Sequence, residues 1–341
     1  MSQLTITETR PKTEFVTPLL PALVLAPMDG ITDAPMRAYQ SSTGAFCYTV
    51  SEFLRVSNEP IPQKVFKREV PELNRGGRTS SGMPVQVQIL GGDPGRMAKS
   101  AFTAVRAGAR AIDINFGCPA PTVNRHDGGA SLLREPCRIR DIVRAVREAV
   151  PSEIPVSAKL RLGWDSIDAI HENAAMAAEG GATWLTIHAR TRVQGYTPPV
   201  YWQPIGQVRE ALNIPVIANG DIWSIEDFRQ CQHETGCFHF MIGRSALANP
   251  MLPYLVAQEL GLTARATPET DWVAILREFM TFLDPERAAR PHHALMRLKQ
   301  WLKIASNFGD FSHFDEVKHS TTIEEFFDLL SAALTSGQRI S

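Results

Sequence analysis

The feature that most constrains the fold is a series of eight short apolar segments that alternate with helical segments between residues 23 and 260. Several are continuously apolar over most of their length rather than alternating, which is typical of parallel strands covered by helices. The predicted strands are Leu23–Met28, Ala45–Phe53, Pro84–Leu90, Ala111–Phe116, Pro155–Leu162, Trp184–Arg190, Pro215–Asn219 and His239–Gly243. Eight such units over this length predict an α/β fold, the TIM (β/α)8 barrel.

The intervening helices carry the start and stop signals expected of barrel helices. Many begin at a capping residue or an early proline, and several end at a glycine. They are predicted at Asp33–Ser42, Gly95–Ala107, Arg138–Val150, Ile167–Glu179, Gln203–Ala211, Ser224–Gln232 and Ala246–Glu259. A doubly wound open sheet is the competing fold, but no Gly-x-Gly-x-x-Gly motif follows the first strand, so the barrel is favoured.

The two ends of the chain differ from this repeating pattern. Residues 1–18 are polar and contain prolines and threonines, which predicts a flexible leader before a barrel over 19–261. Residues 268–304 and 321–335 show helical periodicity without strand-like segments, so we predict a helical domain over 262–341.

Composition excludes several classes of protein. The five cysteines, Cys47, Cys118, Cys137, Cys231 and Cys237, are scattered without a CxxC pair, which argues against a disulfide framework or a zinc site and favours the cytoplasm. We expect no bound metal and no membrane segment, because no apolar segment approaches the length of a membrane span. A net charge of −1 provides no general attraction to nucleic acid, so an RNA partner would require a local basic patch.

Such a patch is present in the predicted helical domain. Between residues 286 and 303, a single acid, Glu286, stands among basic residues and histidines. These are Arg287, Arg290, His292, His293, Arg297, Lys299 and Lys303. An ordinary solvated helix face is the alternative interpretation of this charge pattern.

Polar or glycine residues interrupt the apolar pattern where the predicted strands end. Because a TIM barrel forms its active site at the carboxyl ends of its strands, these positions are candidates for function. They are Met28–Asp29, Gln88, Asn115 with Cys118, Lys159 with Arg161, His188 with Arg190, Asn219 with Asp221, and Gly243–Arg244.

Cys118 is the leading candidate for chemistry. Structural cysteines usually lie within an apolar segment, whereas Cys118 follows one, between Gly117 and Pro119, where the backbone can turn sharply. A long glycine-containing loop follows it, and long ordered loops in compact domains are usually functional. A small buried residue at the end of a strand is the simpler alternative.

The motifs at these strand ends resemble those of the flavin-dependent tRNA-dihydrouridine synthases. The similar segments are Leu25–Gly30, Val87–Gly91, Asp113–Pro119, Val156–Gly163, Ile187–Thr191, Ile217–Asp221 and Met241–Arg244. Further segments resemble the C-type subgroup, which acts at position 16 of the tRNA D-loop: Glu52–Val56, Lys64–Lys67, Arg161–Asp165 and Leu298–Leu302. Asp29 stands where the family often has Glu, and Arg125–Asp127 is bulkier than usual.

The resemblance implies an FMN at the barrel mouth, reduced by NADPH or NADH, that reduces the C5–C6 bond of a uridine. Hydride would go from the flavin to C6, and the Cys118 thiol would protonate C5. A thiol of ordinary pKa is mostly protonated at neutral pH, which suits a proton donor. The residues expected to hold the flavin are Pro27, Met28, Asp29, Gln88, Lys159, His188, Asn219, Gly220, Asp221, Gly243 and Arg244.

A second set of residues is expected to contact the tRNA substrate. These residues are Arg55, Asn115, Arg161, Tyr196, Arg297, Lys299 and Lys318. We expect a cytoplasmic monomer whose partner is tRNA and which requires no membrane or metal. The target uridine must leave its stacked position to reach the pocket.

Three other functions are compatible with the same residues. A flavin barrel that reduces a small free pyrimidine or a related enone would share the flavin site without needing the basic helices. A tRNA-binding or folding factor would carry a vestigial site and bind no flavin. A Schiff-base aldolase would use Lys159 as its nucleophile.

Overall fold

The computed structural model describes residues 14–283 and 290–337 and shows nine parallel strands. Eight of them coincide with the predicted apolar segments. The strands are β1 (Ala22–Leu25), β2 (Tyr48–Val50), β3 (Leu54–Arg55), β4 (Val85–Leu90), β5 (Ile112–Asn115), β6 (Val156–Arg161), β7 (Trp184–His188), β8 (Val216–Asn219) and β9 (His239–Ile242).

All strands except β3 form a closed barrel. The hydrogen-bonded order runs β2-β1-β9-β8-β7-β6-β5-β4, and pairing between β2 and β4 closes the ring. In this ring β6 lies four strands from β1 in either direction, so the two strands are on opposite sides of the barrel. The predicted (β/α)8 barrel is confirmed.

Fourteen helices, numbered in chain order, are present in the described residues. They are α1 (Ala34–Ser42), α2 (Gln63–Glu69), α3 (Pro94–Ala107), α4 (Pro121–Asn124), α5 (Pro136–Ala149), α6 (Ala169–Glu179), α7 (Gln203–Ala211), α8 (Ile225–Thr235), α9 (Arg244–Ala248), α10 (Leu252–Glu259), α11 (Trp272–Thr281), α12 (Pro291–Phe308), α13 (Phe314–Val317) and α14 (Ile323–Gly337). Two 3-10 helices cover Pro71–Arg75 and Gly129–Arg134.

Two predicted elements differ in the structure. The predicted strand over 45–53 is a strand only at β2, and the two-residue β3, which pairs with the end of β4, begins one residue beyond the predicted end. The predicted helix over 246–259 becomes α9 and α10, because Pro250 has no N–H to continue an α-helix.

The predicted flexible leader is structured over its last residues. Phe15 is buried against the rings of Tyr48 and Trp184. The Glu14 carboxylate accepts hydrogen bonds from Arg78 and Arg110. Residues 14–18 therefore pack onto the barrel, whereas the first thirteen lie outside the described residues.

The C-terminal helices pack directly on the barrel beside β1 and β9. Helix α12 lies against α9, and the indole Nε1 of Trp301 donates to the carbonyl of Leu247 at 2.9 Å. The ring of Tyr39 on α1 meets Phe279 and Trp301 edge to face. These contacts fix one side of the barrel mouth.

Candidate active site

A cavity of about 340 Å³ opens at the carboxyl ends of the barrel strands. It brings together most of the predicted site residues from seven separate strand ends. Those lining it are Pro27, Met28, Asp29, Gln88, Asn115, Cys118, Lys159, Arg161, His188, Tyr196, Asn219, Gly220, Asp221, Gly243 and Arg244. Parallel strands in a barrel place their carboxyl ends on one face, which explains why residues so distant in sequence meet here.

The side chain of Asn115 holds the loop that carries Cys118. Its Oδ1 accepts hydrogen bonds from the backbone amides of Gly117 and Cys118, both at 2.9 Å. Gly129 lies so close that an added Cβ would be 3.1 Å from the Cys118 Cβ, and its φ is +61°. A larger residue at position 129 would therefore displace the loop.

A chain of buried hydrogen bonds extends from Asn115 into the barrel. Asn115 Nδ2 donates to Gln88 Oε1 at 2.9 Å, and Gln88 Nε2 donates to Asp113 Oδ2 at 2.7 Å. The hydroxyl of Ser157 donates to the other oxygen of Asp113. Burial raises the pKa of Asp113 to about 6, while the bonds from Ser157 and Gln88 oppose that increase. The predicted ligands Asn115 and Gln88 thus already have partners within the protein.

Lys159 and His188 contribute different charges to the cavity. Desolvation lowers the pKa of Lys159 to about 8, so its amine is still mostly protonated at neutral pH. The Lys159 Nζ donates to Asn219 Oδ1 at 3.0 Å. Burial and the nearby cations hold the pKa of His188 well below its usual value, so the ring is neutral. Its Nδ1 is buried without a hydrogen-bond partner among the described residues.

Arg161 connects two loops at the cavity mouth. Its Nε donates to the carbonyl of Gly117 at 2.8 Å, and its Nη1 donates to those of Thr191 and Gly195 at 3.0 and 2.7 Å. Its guanidinium also lies 5.2 Å from the ring centre of Tyr196, which is more than half exposed. Arg161 therefore supports the cysteine loop together with Asn115.

The ends of β8 and β9 provide a cation and closely approaching backbone. The fully buried Arg190 forms an ion pair with Asp221, so the negative charge of this carboxylate already has a partner within the protein. The Arg244 guanidinium lies 3.8 Å from Asp221 and faces the rings of Tyr196 at 4.4 Å and Phe308 at 4.8 Å. Phe308 belongs to α12, so the C-terminal helices reach this end of the cavity.

Three residues predicted to contact RNA lie in the C-terminal segment and have partners within the protein. Arg297 pairs with Asp33 and donates to the carbonyls of Gly30 and Ile31. Lys299 donates to the carbonyls of Lys318 and Ser320. Lys318, the third of them, is exposed and pairs with Asp315. Arg55, another predicted contact, is exposed on β3 beside a smaller cavity. Glu286 and Arg287 of the predicted basic patch lie outside the described residues.

Sequence reasoning missed several residues of the cavity wall. Phe53 and Trp223 line it, and the Trp223 ring stacks on Phe308 with centres 5.2 Å apart. Trp223 lies only four residues after the predicted strand end at Asn219, and this position was the signal that could have identified it as a cavity residue. In residues 14–283 and 290–337, no group of three His, Cys, Asp or Glu side chains is arranged to hold a metal. None of the described helices is long and apolar enough to cross a membrane.

The fold and site together define an enzyme of the TIM-barrel class with a cysteine at its mouth. The family model for dihydrouridine synthase (Dus) matches residues 24–321. This match covers most of the chain, and the chain belongs to the dihydrouridine synthase family.

Relatives from several bacteria are similar over nearly their whole length. Proteins named tRNA-dihydrouridine(16) synthase from Shewanella oneidensis and Neisseria meningitidis are 43% and 41% identical to this chain. The first alignment covers 91% of this chain and 98% of the relative, and the second covers 91% and 94%.

Solved structures with the same fold are much more distant in sequence. Histamine dehydrogenase from Rhizobium sp. 4-9 is 13% identical, with a TM-score of 0.55 over 76% of this chain and 49% of that chain. A 2-naphthoyl-CoA reductase is 11% identical, with a TM-score of 0.53 over 70% of this chain and 50% of that chain. At this identity the likeness shows the barrel fold alone.

Proposed function

We propose that this protein reduces a uridine of tRNA to 5,6-dihydrouridine, at position 16 of the D-loop, using FMN that is reduced again by NADPH or NADH. The observation that carries this proposal is the cavity at the barrel mouth, which combines the half-buried Cys118 with a cationic and neutral polar wall. The names of the relatives support both the substrate and the position. A cytoplasmic monomer remains part of the proposal.

The residues of the cavity fit a flavin mononucleotide. The buried Nδ1 of His188 lacks a partner, and such an atom is expected to meet a polar group of a ligand. Gly220 has a φ of +118° and Gly243 has no side chain, so the backbone of both can approach a ligand closely. Lys159 supplies a cation in the cavity wall, which suits a ring that becomes more negative on reduction.

Each residue then has a distinct task. FMN would supply the hydride when it is bound. Arg244, Gly220 and Gly243 would hold its phosphate end, and Lys159 and His188 would hold its ring and polar groups. Tyr196, exposed at the mouth, would contact the uridine after it leaves the RNA stack.

Cys118 would donate the second hydrogen as a proton from its Sγ. Burial raises the pKa of this thiol above its ordinary value, so the group is protonated at neutral pH. A thiol kept protonated is a competent acid, whereas a nucleophilic cysteine requires a lowered pKa. The hydrogen bonds that the loop forms with Asn115, which accepts, and with Arg161, which donates, keep the sulfur at the cavity edge.

The decisive experiment maps dihydrouridine by mass spectrometry in tRNA from cells with and without this protein. We expect position 16 alone to lose its dihydrouridine, and purified protein with FMN and NADPH to restore it on that tRNA. Unchanged dihydrouridine at every position would refute the proposed activity. Loss at another D-loop position would refute only the assignment to position 16.

A further inference from the structure

We propose that Arg134, Trp164 and Arg192 form a phosphate-binding site for the RNA backbone at the cavity rim. This inference rests on the proposed function, because it identifies where the tRNA strand beside the target nucleotide is held. We call these three residues the arginine–tryptophan cluster.

The cluster places two positive charges against one aromatic ring. The guanidinium carbon of Arg134 lies 4.2 Å from the ring centre of Trp164, and that of Arg192 lies 4.5 Å from it. The attraction between a guanidinium and an indole stabilises each contact. Both guanidinium groups lie within 4.5 Å of the same ring, however, so the two positive charges are close enough to repel each other.

No acidic side chain compensates for this repulsion within the part of the chain that the structure describes. Neither arginine forms an ion pair with a described carboxylate, and the only side-chain hydrogen bond of Arg134 is a long one of 3.5 Å to the carbonyl of Ser131. The Nε of Arg192 is buried without a partner. A guanidinium stacked on an aromatic face keeps its edge donors available for phosphate oxygens.

The backbone holds the cluster in place. Trp164 follows β6 and Arg192 follows β7, and the amide of Arg192 donates to the carbonyl of Gly163 at 2.8 Å. The amide of Val193 likewise donates to the carbonyl of Trp164 at 2.9 Å. Arg134 ends the 3-10 helix that follows the Cys118 loop. The charges are thus fixed on the loops that follow β5, β6 and β7, at the barrel face where the cavity opens.

The position of the cluster complements that of the C-terminal helices. Helix α12 packs beside β1 and β9, while the cluster follows β5, β6 and β7 on the other side of the ring. An RNA loop that inserts a nucleotide into the cavity must pass both sides of the rim, the side with α12 and the side with the cluster. Arg297 and Lys299 already have partners within the protein, whereas the two arginines of the cluster offer positive charge that remains available.

The test measures the affinity of the flavin-loaded, full-length protein for unmodified tRNA at several salt concentrations. Arg134→Gln and Arg192→Gln are made singly and together, with Arg106→Gln as the matched control. Arg106 is exposed near the end of α3 and also lacks a described acidic partner, but it lies at the opposite face of the barrel.

We expect the double variant to raise the Kd for tRNA about tenfold. The slope of log affinity against log salt concentration should become shallower by roughly one for each lost phosphate contact. Arg192→Lys should keep the salt dependence of the original protein, because it keeps the charge. The control and the flavin absorbance of all variants should not change.

Two results would overturn the proposal. One is a double variant whose Kd and salt dependence equal those of the Arg106→Gln protein. The other is an increased KM for NADPH with unaltered tRNA affinity, which would assign the cluster to the phosphate of the nicotinamide cofactor. If the original protein neither binds nor modifies tRNA, the proposed function itself fails.

Discussion

The wall of the cavity beneath Cys118 and the C-terminal helices use polar side chains in different ways. In the wall, Ser157, Asp113, Gln88 and Asn115 bond to one another in a buried series that ends at the cysteine loop. On α12, the cation of Arg297 bonds to backbone carbonyls of the loop after β1. The first arrangement positions the proposed proton donor, and the second attaches one part of the chain to another.

This difference shows that a polar residue predicts a place in the cavity at some positions of the sequence and not at others. A polar residue at the end of a barrel strand faces the shared cavity because the fold places every strand end there. A basic residue on a surface helix has no such constraint, so its charge can bind RNA or support the protein's own loops. The following three predictions test this distinction, beginning with the largest expected effect.

Replacing the proposed proton donor should abolish turnover without disturbing the site. We expect Cys118→Ala to lower kcat by at least about 100-fold, because general acid catalysis contributes about 10² to 10⁴. Flavin content by absorbance and tRNA affinity by filter binding should remain the same. Cys137→Ala, which removes an exposed cysteine on α5, is the matched control and should retain full activity. Normal turnover by Cys118→Ala would disprove the donor role.

The buried carboxyl of Asp113 should make stability depend on pH. Its pKa is raised to about 6, so the folded protein binds a proton that the unfolded chain releases near pH 4. This contribution is fully present below the unfolded pKa and is lost as the pH rises through 6. Relative to Asp113→Asn, the original protein should lose roughly 3 kcal/mol of unfolding free energy between pH 4 and pH 7.

Urea unfolding at several pH values, followed by circular dichroism, measures this difference. Asp165→Asn, which alters an exposed carboxyl, is the control and should keep the pH dependence of the original protein, because it retains Asp113. Parallel pH curves for the original protein and Asp113→Asn would contradict a raised pKa at this position.

Arg297 should contribute more to stability than an ordinary surface cation. Its guanidinium pairs with Asp33 and bonds to two carbonyls, and its side chain is only 15% exposed. We expect Arg297→Ala to cost about 1–3 kcal/mol, because hydrogen bonds to charged groups contribute amounts of this size. Lys303→Ala, on an exposed position of the same helix, should cost less than about 0.5 kcal/mol.

Thermal unfolding of the two variants provides the comparison. If Arg297→Ala lowers tRNA affinity while its Tm matches that of Lys303→Ala, Arg297 is an RNA contact and its internal bonds contribute little.

Much of the barrel follows from local sequence. The segments that become β4 to β9 end within two residues of their predicted limits, because buried parallel strands are rich in apolar residues. The short β2 and the separate β3 just beyond the predicted strand 45–53 were not predictable, since both depend on pairing with β4, a partner distant in sequence. The buried position of Phe15 depends in the same way on the rings of Tyr48 and Trp184.

The sequence predicted which residues line the candidate site better than it predicted which side chains they contact. Cys118, Lys159 and Arg244 are polar interruptions at strand ends, and the cavity gathers them as expected. That Gln88 bonds to Asp113, or that Trp223 stacks on Phe308, depends on side-chain directions in three dimensions. Sequence spacing does not contain that information.

By itself, the sequence determined an eight-stranded barrel, the residues at its mouth and a cysteine among them, because strand periodicity and turn residues act locally. Only the tertiary structure decided which cations have partners within the protein and which remain available at the rim. The physical reason is that a charge acts through space: Arg297 meets Asp33, and Arg134 meets Trp164, across intervals of chain that no local pattern connects.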